Sequence, residues 1–95
     1  MASSVEEITI AYEEDGVLLV EELDKAILSR GAWATILFKY RQLDKAAGHF
    51  GPTLFSIRRY QKSGGEYRQK SKFNISSLDQ AQKIIYVLSG WIREG

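Results

Sequence analysis

The chain has 95 residues, no cysteine and a net charge of +1. This length accommodates one small domain with a modest core, and the lack of cysteine excludes disulfides, thiolate chemistry and cysteine metal sites. No apolar run approaches the roughly 20 residues that span a bilayer, and the N-terminal residues lack a signal-peptide pattern, so we expect a soluble cytoplasmic protein without a membrane partner.

Charge is distributed unevenly along the chain. Residues 1–28 carry eight acidic side chains and one basic side chain, whereas residues 29–75 carry ten basic and two acidic ones. Such asymmetry is typical of a polyanion-binding surface next to an acidic arm. The alternative interpretation is that both segments are solvated faces that pair with each other.

Residues 1–15 are polar, small and acidic, and we expect a largely flexible arm, with the folded domain formed by residues 16–95. A short alternating piece, residues 5–12, has marginal strand character. Charge alone suggests the hypothesis that this arm folds over a basic sheet and competes with a nucleic-acid ligand.

The next two segments are predicted to be strands. Residues 17–28 fit both a strand and a helical stripe, and we favour a strand. Residues 33–44 are rich in β-branched and aromatic side chains without a turn residue, which indicates a long strand. Residues 45–53 contain two glycines and the only proline, and are predicted to form a loop.

Residues 55–75 form the most informative stretch, because two alternating segments meet at Gly64-Gly65, a pair that accepts the positive φ of a tight hairpin. Parity then divides the hairpin into two faces. Four apolar side chains are expected to face the core and the terminal helix: Phe55, Ile57, Phe73 and Ile75. The other face is expected to be open and basic, and it carries Arg58, Tyr60, Arg68, Lys70 and Lys72.

A C-terminal helix is predicted from a capping box at Ser77 and Gln80 and an apolar stripe that follows it. A second apolar stripe consists of Ile84, Val87 and Trp91. One helix on a small sheet needs a single stripe, so we predict that the second forms a homodimer interface. The alternative is a core large enough to bury both stripes.

Catalytic chemistry is not predicted. The only histidine, His49, lies in a glycine-flanked loop without cysteine or a second histidine to complete a metal set, and no nucleophile motif is present. We therefore expect no enzyme activity, no metal, no cofactor and no small-molecule substrate.

A basic sheet with interleaved aromatic side chains fits single-stranded DNA or RNA, because cations neutralise phosphates and exposed rings stack on unpaired bases, at roughly 1–3 kcal/mol per base. The predicted binding residues are Arg58, Tyr60, Lys62, Arg68, Lys70 and Lys72, with Lys39 and Arg41 extending the track. Further stacking candidates, each of which is also a reasonable core residue, are Trp33, Phe38, Tyr40 and Phe50. Sequence preference is expected to be weak.

Several motifs occur in a recognisable order, namely Ile57-Arg58-Arg59-Tyr60, Gly65-Glu66-Tyr67-Arg68, a basic run through Lys72, and Asn74-Ile75-Ser76 before the helix. In this order they resemble the transcriptional coactivator positive cofactor four and its bacterial relatives. The resemblance extends over residues 54–92.

The resemblance implies an α+β fold, with a curved antiparallel sheet of about four strands and a C-terminal helix packed on one face. It also implies dimerisation through the helices and binding of single-stranded DNA along the sheet. Arg58 matches the family's DNA-contacting arginine, and Lys70 and Lys72 match its basic region. A transcription or DNA-maintenance cofactor, associated with the nucleoid if bacterial, would fit this resemblance.

A second hypothesis belongs to another class. The basic face could instead dock an acidic segment of a partner protein, with the helix pairing with another chain. The two hypotheses differ in whether unpaired bases contribute to binding or whether negative charge alone is enough.

Overall fold

The computed structural model describes residues 2–95 and has an α+β fold, a curled antiparallel sheet followed by one helix. The strands are β1 (Tyr12–Glu14), β2 (Val17–Ser29), β3 (Trp33–Asp44), β4 (His49–Phe50), β5 (Leu54–Ser63) and β6 (Glu66–Ile75), and the helix is α1 (Leu78–Glu94). The strands lie in the order β1-β2-β3-β5-β6, with β4 paired to β3. The sheet thus has six strands, slightly more than the expected four: four are long, and β1 and β4 are short.

The segment that fitted both a helix and a strand is strand β2, which pairs with β3 along most of its length. Irregularities in this pairing lie next to Leu23 and Leu28, both of which are exposed. The long partner β3 supplies the ladder of hydrogen bonds that decides between the two structures, because short apolar runs fit either period.

The hairpin between β5 and β6 forms around Gly64 and Gly65, as predicted. Both glycines have positive φ, +59° and +82°, the combination that a two-residue type I′ turn requires and that side chains with a Cβ seldom adopt. The register pairs Phe55 with Ile75 and Ile57 with Phe73, so these four apolar residues share one face, as expected.

The core lies on the opposite face of the sheet, here called the inner face. Alternate residues of β3 are buried there, namely Ala34, Ile36, Phe38 and Tyr40, and they pack with Tyr60 of β5. The hairpin face that was expected to be open is therefore the covered one. The face that carries Phe55 and Ile57, here called the outer face, includes the exposed side chain of Phe73.

Residues 2–10, here called the strap, cover the inner face. They contain a single 3₁₀ turn, Val5–Glu7, and the side chains of Val5, Ile8 and Ile10 are buried. The structure thus differs from the expected flexible arm. These three apolar side chains complete the core of a sheet that is distant in sequence, a contact that local composition does not reveal.

Helix α1 begins as predicted. The Ser77 hydroxyl accepts a hydrogen bond from the Gln80 backbone N–H at 3.0 Å, while the Gln80 side-chain oxygen accepts one from the Ser76 N–H at 3.0 Å. The main contact of α1 with the sheet is at β6, and none of the helix residues is buried. No helix within residues 2–95 is long and apolar enough to cross a membrane.

The molecule is extended for its size. Its radius of gyration is 15.3 Å, compared with about 12.4 Å for a compact domain of this length. Its accessible surface is 6624 Å², compared with roughly 5,500 Å² for a compact monomer of the same mass. Exposed apolar side chains contribute to this surface both on α1, such as Trp91 and Ile92, and on the sheet, such as Phe73.

Candidate nucleic-acid interface

Arg58 and Lys72 are directly opposite each other on β5 and β6 and therefore share the inner face. The Arg58 guanidinium donates to the Ser56 hydroxyl at 3.1 Å and to the Gln69 side-chain oxygen at 3.1 Å. Ser56 is fully buried and donates in turn to Asn74 at 2.7 Å. Only neutral groups hold the arginine in place, and among residues 2–95 neither cation forms an ion pair.

Tyr60 lies beside Arg58 on the inner face and is 6% exposed. Burial raises the pKa of the Tyr60 phenol above its ordinary value of 10.0, and the nearby Arg58 guanidinium opposes part of that rise. Two other stacking candidates, Phe38 and Tyr40, are also buried on this face. The structure therefore brings three of the predicted aromatic residues together, beneath the strap.

The predicted basic residues do not all share one face. The pairing shifts between Arg59 and Tyr60, so that Tyr60 pairs with Gln69, and Lys70 is the extra residue of a bulge. Arg68 is opposite Gln61 and thus lies on the outer face, away from Arg58. The expected single face is wrong for Arg68 because a bulge breaks the period of two on which parity depends.

Lys62 lies on the inner-face side, opposite Tyr67, with its ammonium group 5.5 Å from the centre of the tyrosine ring. Lys39 and Arg41 lie on the outer face instead. Lys39 is exposed, whereas Arg41 donates to Glu21 at 2.6 Å and stacks 4.5 Å above the ring of Phe50. The outer face therefore bears a separate group of cations.

Trp33 is a further stacking candidate that lies on the outer face. Its side chain is exposed, and the Arg59 guanidinium lies 4.7 Å from the centre of its ring. A base could approach this indole only on the side that Arg59 leaves open. The contact offers an exposed aromatic ring and a cation at one point, outside the inner face.

Side chains of β2 that the sequence analysis did not single out hold the strap in place. Lys25 donates to the backbone carbonyls of Glu6 and Ile8, at 2.7 and 2.5 Å, and Glu22 accepts from the Thr9 hydroxyl at 2.8 Å. Lys25 is the only basic side chain in residues 1–28, and its position in an acidic segment is the sequence feature that could have indicated this role.

The neighbours of the strap's acidic residues, Glu6 and Glu7, stabilise the charged form of each carboxyl. A side-chain hydrogen bond from Arg30, which also forms an ion pair with Glu6, lowers the pKa of the Glu6 carboxyl. The pKa of the Glu7 carboxyl is lowered by hydrogen bonds from the hydroxyls of Ser3 and Ser4. Both carboxyls are therefore ionised at neutral pH, and Glu7 closes the first turn of the strap.

The predicted dimer residues lie together on α1. Ile84, Val87 and Trp91 line an apolar groove of about 350 Å³ along the helix. Exposure along this stripe rises toward the C-terminus, from Val87 to Trp91. The groove is open to solvent in the single chain.

His49 is exposed in β4, and its Nδ1 lies 3.1 Å from the carbonyl of Phe50. Within residues 2–95, no group of three or more histidine, aspartate or glutamate side chains converges in a way that could hold a metal ion. No protein-family model, curated protein or solved structure matches this chain.

Proposed function

We propose that this protein binds single-stranded nucleic acid, with DNA as the first candidate, through the inner face of its sheet. The observation that carries the proposal is the Arg58–Lys72 pair, two cations without acidic partners beside Tyr60. Cations of this kind neutralise phosphates and release counterions, so binding is largely independent of sequence and falls as salt rises.

Aromatic side chains on the same face are the second feature that supports binding of single strands. Tyr60, Phe38 and Tyr40 belong to one cluster next to these cations. Stacking of an unpaired base on such a ring is worth about 1–3 kcal/mol and is unavailable to a paired base inside a duplex. This arrangement supports a preference for single strands over duplexes.

We also propose that the protein is a homodimer through α1. An accessible surface roughly 1,100 Å² above that of a compact monomer is comparable to the ~800 Å² that each partner buries in a standard interface. The groove that contains Ile84, Val87 and Trp91 is an apolar part of the exposed surface. A dimer would present two inner faces to one strand, which suits a cytoplasmic cofactor of transcription or DNA maintenance.

A second candidate function is docking of an acidic partner segment. The observation that favours it is the strap, an acidic peptide that already lies on the inner face with Glu6 paired to Arg30. Under this hypothesis the inner face recognises extended peptide backbone and negative charge, and bases contribute nothing.

The experiment is a salt-dependent titration of the protein with DNA and RNA oligonucleotides of equal length, single-stranded and duplex. We expect affinity for the single strands, falling steeply with salt. The variant Arg58→Ala/Lys72→Ala should weaken binding to all sequences. It should also reduce the slope of log K against log salt by about 1.4, since each cation that is removed neutralises about one phosphate and a single strand contributes about 0.7 per phosphate.

The matched control is Lys45→Ala/Arg93→Ala, which removes one exposed cation after β3 and one exposed cation of α1, and should leave binding unchanged. Equal affinity for duplex and single strand, or an unaltered salt slope in the inner-face variant, would contradict the proposal. If a poly-acidic peptide of equal charge competes as well as the oligonucleotide, the acidic-partner function is favoured instead.

A further inference from the structure

We propose that the strap, residues 2–10, is an autoinhibitory segment that must leave the inner face before a nucleic-acid strand can stack there. The inference rests on the proposed function and concerns the regulation of the same site. The supporting observations are the aromatic rings that the strap buries, its hydrogen bonds to β6 and β2, and the cations with which it pairs.

The strap covers the aromatic part of the site. Val5, Ile8 and Ile10 pack in the same buried cluster as Tyr60 and Phe38. With these aromatic rings buried, no base can reach them. Arg58 and Lys72 lie outside the cluster, so a strand can meet the cations of the closed protein but not its rings.

The strap is attached to β6, at one edge of the sheet, and to β2 on the far side of β3 and β5. At one end the carbonyl of Ala2 accepts a hydrogen bond from the Tyr67 N–H of β6 at 2.9 Å. At the other end Glu22 of β2 accepts from the Thr9 hydroxyl at 2.8 Å and from the Ile10 N–H at 3.4 Å. The segment therefore crosses the inner face from β6 to β2.

Between these ends the strap has no strand pairing with the sheet; its only regular structure is one 3₁₀ turn. Segments with few backbone hydrogen bonds to the rest of a protein open at lower free energy than its central strands. The strap can therefore detach as a unit while the ladder between β3 and β5 stays intact.

Detachment would also change the charge of the inner face. The Lys25 ammonium group is occupied by two strap carbonyls, and Arg30 is paired with Glu6. Opening of the strap releases both cations and removes two carboxylates, Glu6 and Glu7, from the face. The open state thus gains stacking surface and positive charge together, which are the two features that favour a nucleic-acid strand.

The strap and a nucleic-acid strand cannot occupy the inner face together, so the apparent affinity depends on the fraction of molecules whose strap is detached, here called the open fraction. The measured dissociation constant is the intrinsic one divided by the open fraction. Since apolar packing holds the strap more than its single exposed ion pair does, truncation of one buried strap side chain should raise the open fraction.

The first test compares Ile8→Ala with Ile75→Ala. Both positions are buried isoleucines, 4% and 5% exposed, but Ile75 lies on the outer face and outside the cluster that the strap completes. We expect Ile8→Ala to bind a single-stranded oligonucleotide about fivefold or more tightly than the unaltered protein, whereas Ile75→Ala should not gain affinity.

Equal, tight binding by the unaltered protein and Ile8→Ala would overturn the autoinhibitory role and leave the proposed function intact. No binding by any of the three proteins would overturn both. A gain of affinity by Ile75→Ala equal to that of Ile8→Ala would attribute the effect to general loosening of the fold and would also overturn the proposal.

A second test avoids a destabilised core. Because the chain has no cysteine, Ala2→Cys provides a single attachment point for an environment-sensitive dye at the end of the strap. We expect the dye signal to change as a single-stranded oligonucleotide saturates the protein, and to return when high salt releases the oligonucleotide. Saturation without any change in the dye signal would show that the strap stays in place, contrary to the proposal.

Discussion

The inner face and helix α1 both carry a dense set of apolar side chains, but they differ in what covers them. Ile36 and Phe38 of the inner face are completely buried, because the strap of the same chain lies over them. On α1, Trp91 and Ile92 are 65% and 75% exposed. The chain covers one apolar surface itself and leaves the other available to a second chain.

The difference follows from how the two surfaces are built. Nine residues of strap are enough for the inner face, since strands β3 and β5 bring its apolar side chains close together. The apolar side chains of α1 are instead spread along 17 residues of one helix, whose main contact is with β6. A domain of this size has little sequence with which to cover such a helix on all sides.

Two phenylalanines, one on each face of the sheet, should differ strongly in their contribution to stability. Phe38 is fully buried on the inner face, and Phe73 is 53% exposed on the outer face. Phe38→Ala should reduce the free energy of unfolding by about 3–5 kcal/mol, because it leaves a cavity under the strap. Phe73→Ala should cost less than about 1 kcal/mol while the chain is monomeric. Urea denaturation at low protein concentration measures both.

Equal reductions at the two positions would mean that the outer face is as well covered as the inner one. A reduction at Phe73 that grows with protein concentration would have a different meaning. That result would indicate that a second chain covers Phe73.

Much of the fold could be predicted from local sequence. The Gly64-Gly65 turn, the cap at Ser77 and the long strand β3 each depend on neighbouring residues, and the structure contains all three. The covered side of the sheet could not be predicted in the same way. It depends on the strap, whose isoleucines look like isolated apolar residues in an acidic segment until the distant sheet is placed beneath them.

The second prediction concerns the uncovered surface. Trp91→Asp places a charge in the apolar groove of α1 and should weaken dimerisation by about 2 kcal/mol or more, roughly 30-fold, as expected for a buried aromatic residue at an interface. Analytical ultracentrifugation over a range of concentrations measures the shift toward monomer. Tyr86→Asp is the matched control, since Tyr86 is 79% exposed and lies outside the stripe of Ile84, Val87 and Trp91.

A monomer–dimer equilibrium that Trp91→Asp leaves unchanged would remove this groove from the interface. If Tyr86→Asp were as disruptive as Trp91→Asp, the effect would come from the added charge or from a different helix face. Either outcome would mean that the apolar groove of α1 is not the surface that a second chain covers.

The candidate site was only partly predictable for a related reason. Parity correctly paired Arg58 with Lys72, which are directly opposite each other in the hairpin. It failed for Arg68, because Lys70 is an extra residue in β6. The side chains of β6 between this bulge and the turn therefore lie on the opposite face from the one that parity predicts. A bulge has no reliable signature in a run of polar residues, so a single sequence gives parity only over short distances.

The ionisation of Tyr60 should report, by a small shift, on whether the strap covers the inner face. Since burial raises the pKa of Tyr60, the folded state holds its phenolic proton at a pH where the unfolded chain, with a pKa near 10.0, has released it. The contribution of Tyr60 to stability is therefore complete below about pH 10 and disappears as the pH rises through the raised pKa. In an absorbance titration of tyrosinate, Tyr60→Phe should remove a component that ionises above the ordinary pKa of tyrosine.

Ile8→Ala should move that same component toward the ordinary pKa of tyrosine, because a loosened strap readmits water to the Tyr60 phenol. Ile75→Ala, on the outer face, should leave it in place. If Ile8→Ala does not change the titration of Tyr60, the strap is not what excludes water from the Tyr60 phenol. The inner face would then not differ from α1 in being covered by a segment of its own chain.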